Sequence, residues 1–204
     1  ANGCTGTDNT VVTSPDEILA SITSDISPTC NGGSDGSMSV TPTGGTTPYT
    51  YAWSNAAITA SISGLVAGTY TASVTDANGC GPASASNTIS NPAAVVAAAS
   101  NTGNATCNGA SDGSVTTIVS GGISPFTYAW SNSAITMSVS GLSAGTYTVT
   151  VTDNKGCTST GTATIAEPTA ISASATFADI TCNGQTDGMA AATPTGGTSP
   201  YFYA

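Results

Sequence analysis

Hydrophobic and polar residues alternate over short runs along most of this chain. Met38 and Val40 are interleaved with Ser37, Ser39 and Thr41. Tyr49, Tyr51 and Trp53 alternate with Thr50 and Ala52, and Ile58, Ala60 and Ile62 with Thr59 and Ser61. Tyr70, Ala72 and Val74 alternate with Thr69, Thr71, Ser73 and Thr75. A period of two sends successive side chains to opposite faces of an extended strand, so these runs predict half-buried antiparallel strands. Thr43-Gly44-Gly45-Thr46 and Asn78-Gly79 supply turns between them. No segment shows a helical period with caps. The Ala-rich stretch from Val95 to Ser100 holds two adjacent valines, and with its counterpart Ile171-Ser-Ala-Ser-Ala it is predicted as strand.

The pattern repeats. Cys30-Asn-Gly-Gly-Ser-Asp35-Gly36-Ser returns 77 residues later as Cys107-Asn-Gly-Ala-Ser-Asp112-Gly113-Ser. It returns after a further 75 as Cys182-Asn-Gly-Gln-Thr-Asp187-Gly188. Gly44-Gly45 with Pro48-Tyr-Thr-Tyr-Ala-Trp53-Ser-Asn matches Gly121-Gly122 with Pro125-Phe-Thr-Tyr-Ala-Trp130-Ser-Asn, and Gly196-Gly197 with Pro200-Tyr-Phe-Tyr-Ala204. Gly64-Leu-Val-Ala-Gly68-Thr-Tyr70 matches Gly141-Leu-Ser-Ala-Gly145-Thr-Tyr147. Asp76-Ala-Asn-Gly-Cys80 matches Asp153-Asn-Lys-Gly-Cys157, and Ala1-Asn-Gly-Cys4 carries the tail of the same motif. Each unit opens at a proline: Pro15, Pro92 and Pro168. The expected organisation is the end of one repeat over 1–14, whole repeats over 15–91 and 92–167, and the first half of another over 168–204. Repeats on both sides of the segment are expected.

Six or seven short strands in a unit of about 76 residues predict an all-β chain of tandem immunoglobulin-like β-sandwiches. Trp53 falls where the central strand of such a sandwich carries its core tryptophan. Leu65-x-x-Gly68-x-Tyr70 resembles the turn and tyrosine corner that lead into strand F. Core packing is the first expectation for these aromatics; stacking of a sugar on Tyr49 or Tyr51 is the functional alternative.

Composition then removes whole classes of function. Only 6% of residues are charged, against about a quarter in an average domain. Lys155 is the single basic residue, there is no histidine, and eleven acids leave a formal net charge of -10. Nucleic-acid binding and attraction to anionic membranes both need a Lys/Arg footprint, so neither is expected. Histidine-based catalysis and His-containing zinc sites cannot be built from this segment. No apolar run approaches the roughly 20 residues that span a bilayer. With 39% hydrophobic residues the chain does not have the composition of a disordered one; Ser, Thr, Asn and Gly provide its polarity. No catalytic residue is identified and no enzyme is expected. One lysine and no arginine also leave trypsin almost nothing to cut.

Six cysteines fall at fixed places in the repeat. One pairing closes each unit on itself, Cys30–Cys80 and Cys107–Cys157. The other joins neighbours across unit junctions, Cys4–Cys30, Cys80–Cys107 and Cys157–Cys182. The first is favoured because a loop of about 50 residues contributes near 4 kcal/mol by chain entropy, which matters in so small a domain. One objection stands against it: in immunoglobulin topology the loop before strand B and the turn after strand F lie at opposite ends. No Cys-x-x-Cys spacing suggests metal. Disulfides would place the chain in an oxidising, extracellular setting.

These motifs together resemble the SprB-type repeats of very large surface adhesins of Bacteroidota, including gliding-motility adhesins. The resemblance covers the whole segment. It implies immunoglobulin-like units in a secreted, cell-surface stalk or filament, with adjacent repeats and other copies as partners. It also implies export by the type IX system through a C-terminal signal that this segment does not contain. It brings no catalytic residues.

Three smaller chemistries follow from the residues. Asp35, Asp76, Asp112 and Asp153 recur in register and would converge if Cys30 bonded Cys80, which makes them candidates for calcium; turn formation is the plainer role of Asp-Gly and Asp-x-Asn-Gly. Thr146, Thr148, Thr150 and Thr152 predict a threonine-lined strand face, of the kind that can bind ice but more simply a hydroxyl-rich surface. Asn104-Ala-Thr106 is a lone glycosylation sequon. No cofactor is expected beyond the calcium alternative. A carbohydrate-binding module, recognising surface glycans, is the functional alternative to a stalk.

Overall fold

The computed structural model describes residues 2–3 and 6–203 and divides into two units, Ala1–Ala93 and Ala94–Ala204. Among the described residues every regular element is a β-strand.

The first unit holds β1 (Leu19–Ile26), β2 (Gly36–Thr43), β3 (Thr50–Trp53), β4 (Ser61–Leu65), β5 (Gly68–Thr75) and β6 (Ala83–Ile89). They form two antiparallel three-stranded sheets, β1-β2-β4 and β3-β5-β6. That is an immunoglobulin-like sandwich without a D strand. The alternating runs set which face is inside. Met38, Val40 and Ile62 from one sheet meet Trp53, Ala72, Val74 and Ile89 from the other, all buried. The intervening serines and threonines face outward, where hydroxyls pair across strands, as in Ser39–Ser61 (2.9 Å) and Thr69–Thr88 (2.8 Å).

The second unit repeats this plan with β7 (Val96–Gly103), β8 (Gly113–Ser120), β9 (Thr127–Trp130), β10 (Ser138–Leu142), β11 (Gly145–Thr152) and β12 (Thr158–Ile165). Its sheets are β10-β8-β7 and β12-β11-β9, around Val115, Trp130, Leu142, Val149, Val151 and Ile165. A two-stranded hairpin follows, β13 (Ser172–Ala178) with β14 (Met189–Thr195).

Two aromatic anchors recur. The indole N–H of Trp53 donates to the Thr59 carbonyl (2.7 Å), and that of Trp130 to the Thr136 carbonyl (2.9 Å). The Tyr70 hydroxyl donates to the Val66 carbonyl (3.1 Å) and the Tyr147 hydroxyl to the Ser143 carbonyl (3.0 Å). Both are tyrosine corners, as the Leu-x-x-Gly-x-Tyr spacing predicts.

The expected strand through Ile58 and Ala60 does not form. The main chain turns after Trp53, with the Trp53 N–H on the Ala57 carbonyl (2.8 Å) and Ala56 at φ 67°. Thr59 is thereby placed to accept the indole, Ile58 is left 76% exposed, and β4 begins only at Ser61. Tertiary satisfaction of a buried indole overrides the local alternation here. Gly44 marks the opposite case, where the sequence cue has a steric cause. It sits at φ 70°, and a Cβ would lie 2.0 Å from the Glu17 carbonyl oxygen.

The expected threonine face is present and wider than the sequence suggests. In the β11–β12 register Thr146, Thr148, Thr150 and Thr152 stand opposite Thr164, Thr162, Thr160 and Thr158.

The two sandwiches differ at one core position. Val40 of the first corresponds to Thr117 of the second, which is buried with a hydroxyl that has no hydrogen-bond partner. Thr117→Val is therefore expected to stabilise the second sandwich by about 1 kcal/mol or more. Met38→Ala, which empties a fully buried site, is expected to cost the first about 2–5 kcal/mol. Denaturant unfolding followed by tryptophan fluorescence measures both.

Candidate functional site: the carboxylate clamps and cysteines at the repeat ends

Each sandwich has a carboxylate at each end. At one end, the loop before the second strand closes on itself. The Thr29 N–H (3.0 Å) and hydroxyl both donate to Asp35. Thr106 does the same to Asp112 (3.0 and 2.5 Å), and Thr181 to Asp187 (3.1 and 2.5 Å). The threonine hydroxyl, then the threonine N–H, holds each of these three carboxyls below the usual carboxylate range.

The other end carries a buried carboxylate. Asp76 lies in the turn after β5 and accepts N–H groups from Thr46 (2.9 Å), Asn78 (2.9 Å) and Cys80 (2.8 Å). The Ala77 N–H returns to the Thr46 carbonyl (2.9 Å). The clamp thus ties the turn after β5 to the Gly-Gly loop after β2, one from each sheet. Asp153 repeats it with Ile123 (3.0 Å), Lys155 (2.8 Å) and Cys157 (2.9 Å). The Cys80 N–H does most to lower the Asp76 pKa, against burial, with Thr46 and Asn78 adding to it. For Asp153 burial is the largest influence and pushes upward, but the N–H groups of Ile123, Cys157, Lys155 and Gly156 outweigh it and the pKa is lowered.

A third set of contacts joins the loop before the second strand to the last residue of its own repeat and to the proline that opens the next. Asn31 Nδ2 donates to the Pro92 carbonyl (2.9 Å) and the Gly32 N–H to Asn91 Oδ1 (3.1 Å). Asn108 donates to the Pro168 carbonyl (3.2 Å) and to Glu167 (3.1 Å), and the Gly109 N–H to Glu167 (2.7 Å). Sequence reasoning missed these bonds. The available signal was Asn-Gly in every loop together with a polar residue before each of Pro92 and Pro168.

The cysteines do not pair within repeats. Cys30 and Cys157 are disulfide-bonded, whereas Cys80, Cys107 and Cys182 are exposed thiols. Cys30–Cys80 and Cys107–Cys157 are therefore not formed, nor are Cys80–Cys107 and Cys157–Cys182. Cys4 of the remaining alternative lies outside the described residues. The reason is the length of a strand. Cys30 precedes β2, and the turn bearing Cys80 is clamped to the loop beyond the far end of β2. Eight residues of strand span about 25 Å, and a disulfide needs Cα atoms within about 7 Å.

The same separation keeps the calcium candidates apart. Asp35 and Asp76 stand at opposite ends of one sandwich, as do Asp112 and Asp153 of the other. Each directs its oxygens at donors of its own end. Among the described residues no group of three or more Asp, Glu, Cys or His side chains that could hold a metal ion comes together. Tyr49 bonds the Gly44 carbonyl (2.6 Å), and Tyr51 packs against the core.

The family model for the SprB repeat matches residues 22–58, 99–134 and 174–204. No curated protein matches the chain. Among solved structures, a titin I-band fragment (I67–I69) is similar at 14% identity over 90% of this chain and 78% of that one, TM-score 0.36. A tetra-tandem repeat from the extending region of a large adhesion protein is similar at 15% identity over 90% and 63%, TM-score 0.23. The fibronectin(III)-like modules of Clostridium thermocellum CbhA are similar at 14% identity over 73% and 95%, TM-score 0.26.

The clamps make a signed pH prediction. A carboxylate whose pKa is lowered by folding stabilises the fold above its unfolded pKa, and that stabilisation is lost as pH falls through the folded value. Melting temperature should be level above about pH 5 and decline below about pH 4. Asp76→Ala and Asp153→Ala should lower it at pH 7, unlike Asp8→Ala at an exposed site, and the deficit should shrink toward pH 2. Scanning calorimetry from pH 2 to 7 reads all of these.

Proposed function

This chain belongs to the SprB repeat family, and on that premise we propose that it is a structural repeat segment of a large secreted bacterial surface adhesin, forming part of an extended stalk or filament. The carrying observation is the recurrence of one mechanical unit. Both sandwiches have the same strand order, the same indole and tyrosine anchors, and the same carboxylate clamps. The loop of each is bonded to the last residue of its own repeat, Asn91 or Glu167.

Such a unit transmits load rather than performing chemistry. Its two sheets resist shear through their cores, and its clamps hold loop to turn at one end. Immunoglobulin-like repeats of this kind are typically non-catalytic. An outer location fits the hydroxyl-rich, nearly cation-free surface, which hydrates while offering trypsin a single lysine, Lys155. Adhesion and gliding are the functions such a stalk would serve in a cell-surface protein.

Single-molecule pulling under reducing conditions tests the mechanical reading. Two unfolding events are expected, each releasing about 25 nm of chain, the extended length of some 75 residues. A glycan array should be silent. Unfolding without separate events, or saturable binding to a glycan, would contradict the stalk and favour a binding module.

A further inference from the structure

Each repeat carries two cysteines in fixed surroundings, one in the Cys-Asn-Gly loop (Cys30, Cys107, Cys182) and one in the Asp-x-x-Gly-Cys turn (Cys80, Cys157). Both kinds form disulfides here: Cys30 is a bonded loop cysteine and Cys157 a bonded turn cysteine. Their counterparts Cys107 and Cys80 are exposed thiols. The same local structure therefore exists in bonded and free forms.

The surroundings of the two thiols identify the partner. Cys107 lines a groove of about 360 Å³ with Pro168, Ala170, Ile171 and Gly197, the opening of the repeat that follows it. Cys80 lines a groove of about 400 Å³ with Pro15, Asp16, Glu17 and Ile18, the opening of its own repeat. These two openings are equivalent. Both start at the repeat's proline, and the Gly45 N–H bonds the Asp16 carbonyl (2.9 Å) as the Gly197 N–H bonds the Thr169 carbonyl (2.8 Å). An opening segment thus has the turn cysteine of its own repeat on one side and the loop cysteine of the preceding repeat on the other.

We propose that Cys107 and Cys80 are head-to-tail coupling sites, at which the loop cysteine of one SprB repeat forms a disulfide with the turn cysteine of the repeat that follows. A completed repeat at Pro168 would offer its turn cysteine to Cys107, and a repeat joined ahead of Pro15 would offer its loop cysteine to Cys80. Two thiols lose two protons and two electrons to an oxidised low-molecular-weight disulfide, which leaves as two thiols, and one S–S bond joins the repeats. Because the loop and turn cysteines lie at opposite ends of a repeat, the linkage is heterologous and extends along a series without closing.

The test extends the full chain by a copy of residues 130–167, which completes the repeat begun at Pro168. Both proteins are oxidised with oxidised glutathione, alkylated with iodoacetamide, and mapped as peptic peptides at low pH. In the original chain Cys107 and Cys80 should be alkylated, with no Cys30–Cys80 or Cys107–Cys157 peptide. In the extended chain Cys107 should lose its label and appear linked to the turn cysteine of the added segment, and Cys107→Ser should return the label to that added cysteine. A within-repeat peptide in either protein overturns the proposal. So does a Cys107 that stays alkylatable while fluorescence of the added tryptophan reports a folded repeat.

Discussion

A buried carboxylate in a chain almost without cations can be satisfied only by N–H and O–H donors, and the repeat is arranged around that need. Asp76 and Asp153 are buried, and the chain offers one lysine and no arginine or histidine. An uncompensated buried charge would be costly. The donors come instead from backbone N–H groups of two segments: the turn that carries the aspartate and the loop after the second strand. Satisfying the charge therefore fixes the distance between the two sheets at that end. It also sets the turn that presents Cys80 or Cys157, since each cysteine's own N–H is one of the donors.

The rest of the unit follows from little material. Three strands on each side enclose a core with one tryptophan and a few branched residues. Neutral hydroxyls cover the outside. The opening loop, stiffened by its own threonine–aspartate contact, reaches the residues beside the next proline. The carboxylates at the ends of the repeat take their hydrogen bonds from backbone N–H groups or uncharged side chains, so the unit can be reproduced along a chain without accumulating specific ion pairs. That is the physical sense in which 6% charge describes a material.

Much of this was legible in the sequence, for identifiable reasons. Alternation at Met38–Val40 and Tyr70–Val74 named the buried face because a strand has no other way to separate two sets of side chains. Tyr70 was legible because its spacing to Leu65 and Gly68 is a local motif, and Trp53 because it falls on the alternating central strand. Ile58 was misread, since its alternation is local whereas the Trp53 indole that pulls Thr59 out of the strand is not. The cysteine pairing was misread because equal spacing says nothing about which end of a strand a residue occupies; the objection from immunoglobulin topology carried the right geometry. Asp76 was recognised as recurrent, but its clamp was not read, because the donor Thr46 lies 30 residues away in sequence.

The measurement that bears most directly on this account is a ¹³C NMR titration of the Asp76 and Asp153 side-chain carboxyls in the folded protein. The clamps require both to titrate below the ordinary aspartate value of 3.8, with the Thr46, Cys80, Ile123 and Cys157 amide protons shifting at the same midpoints. Carboxyls that titrate at or above 3.8, or amides that do not follow them, would contradict it.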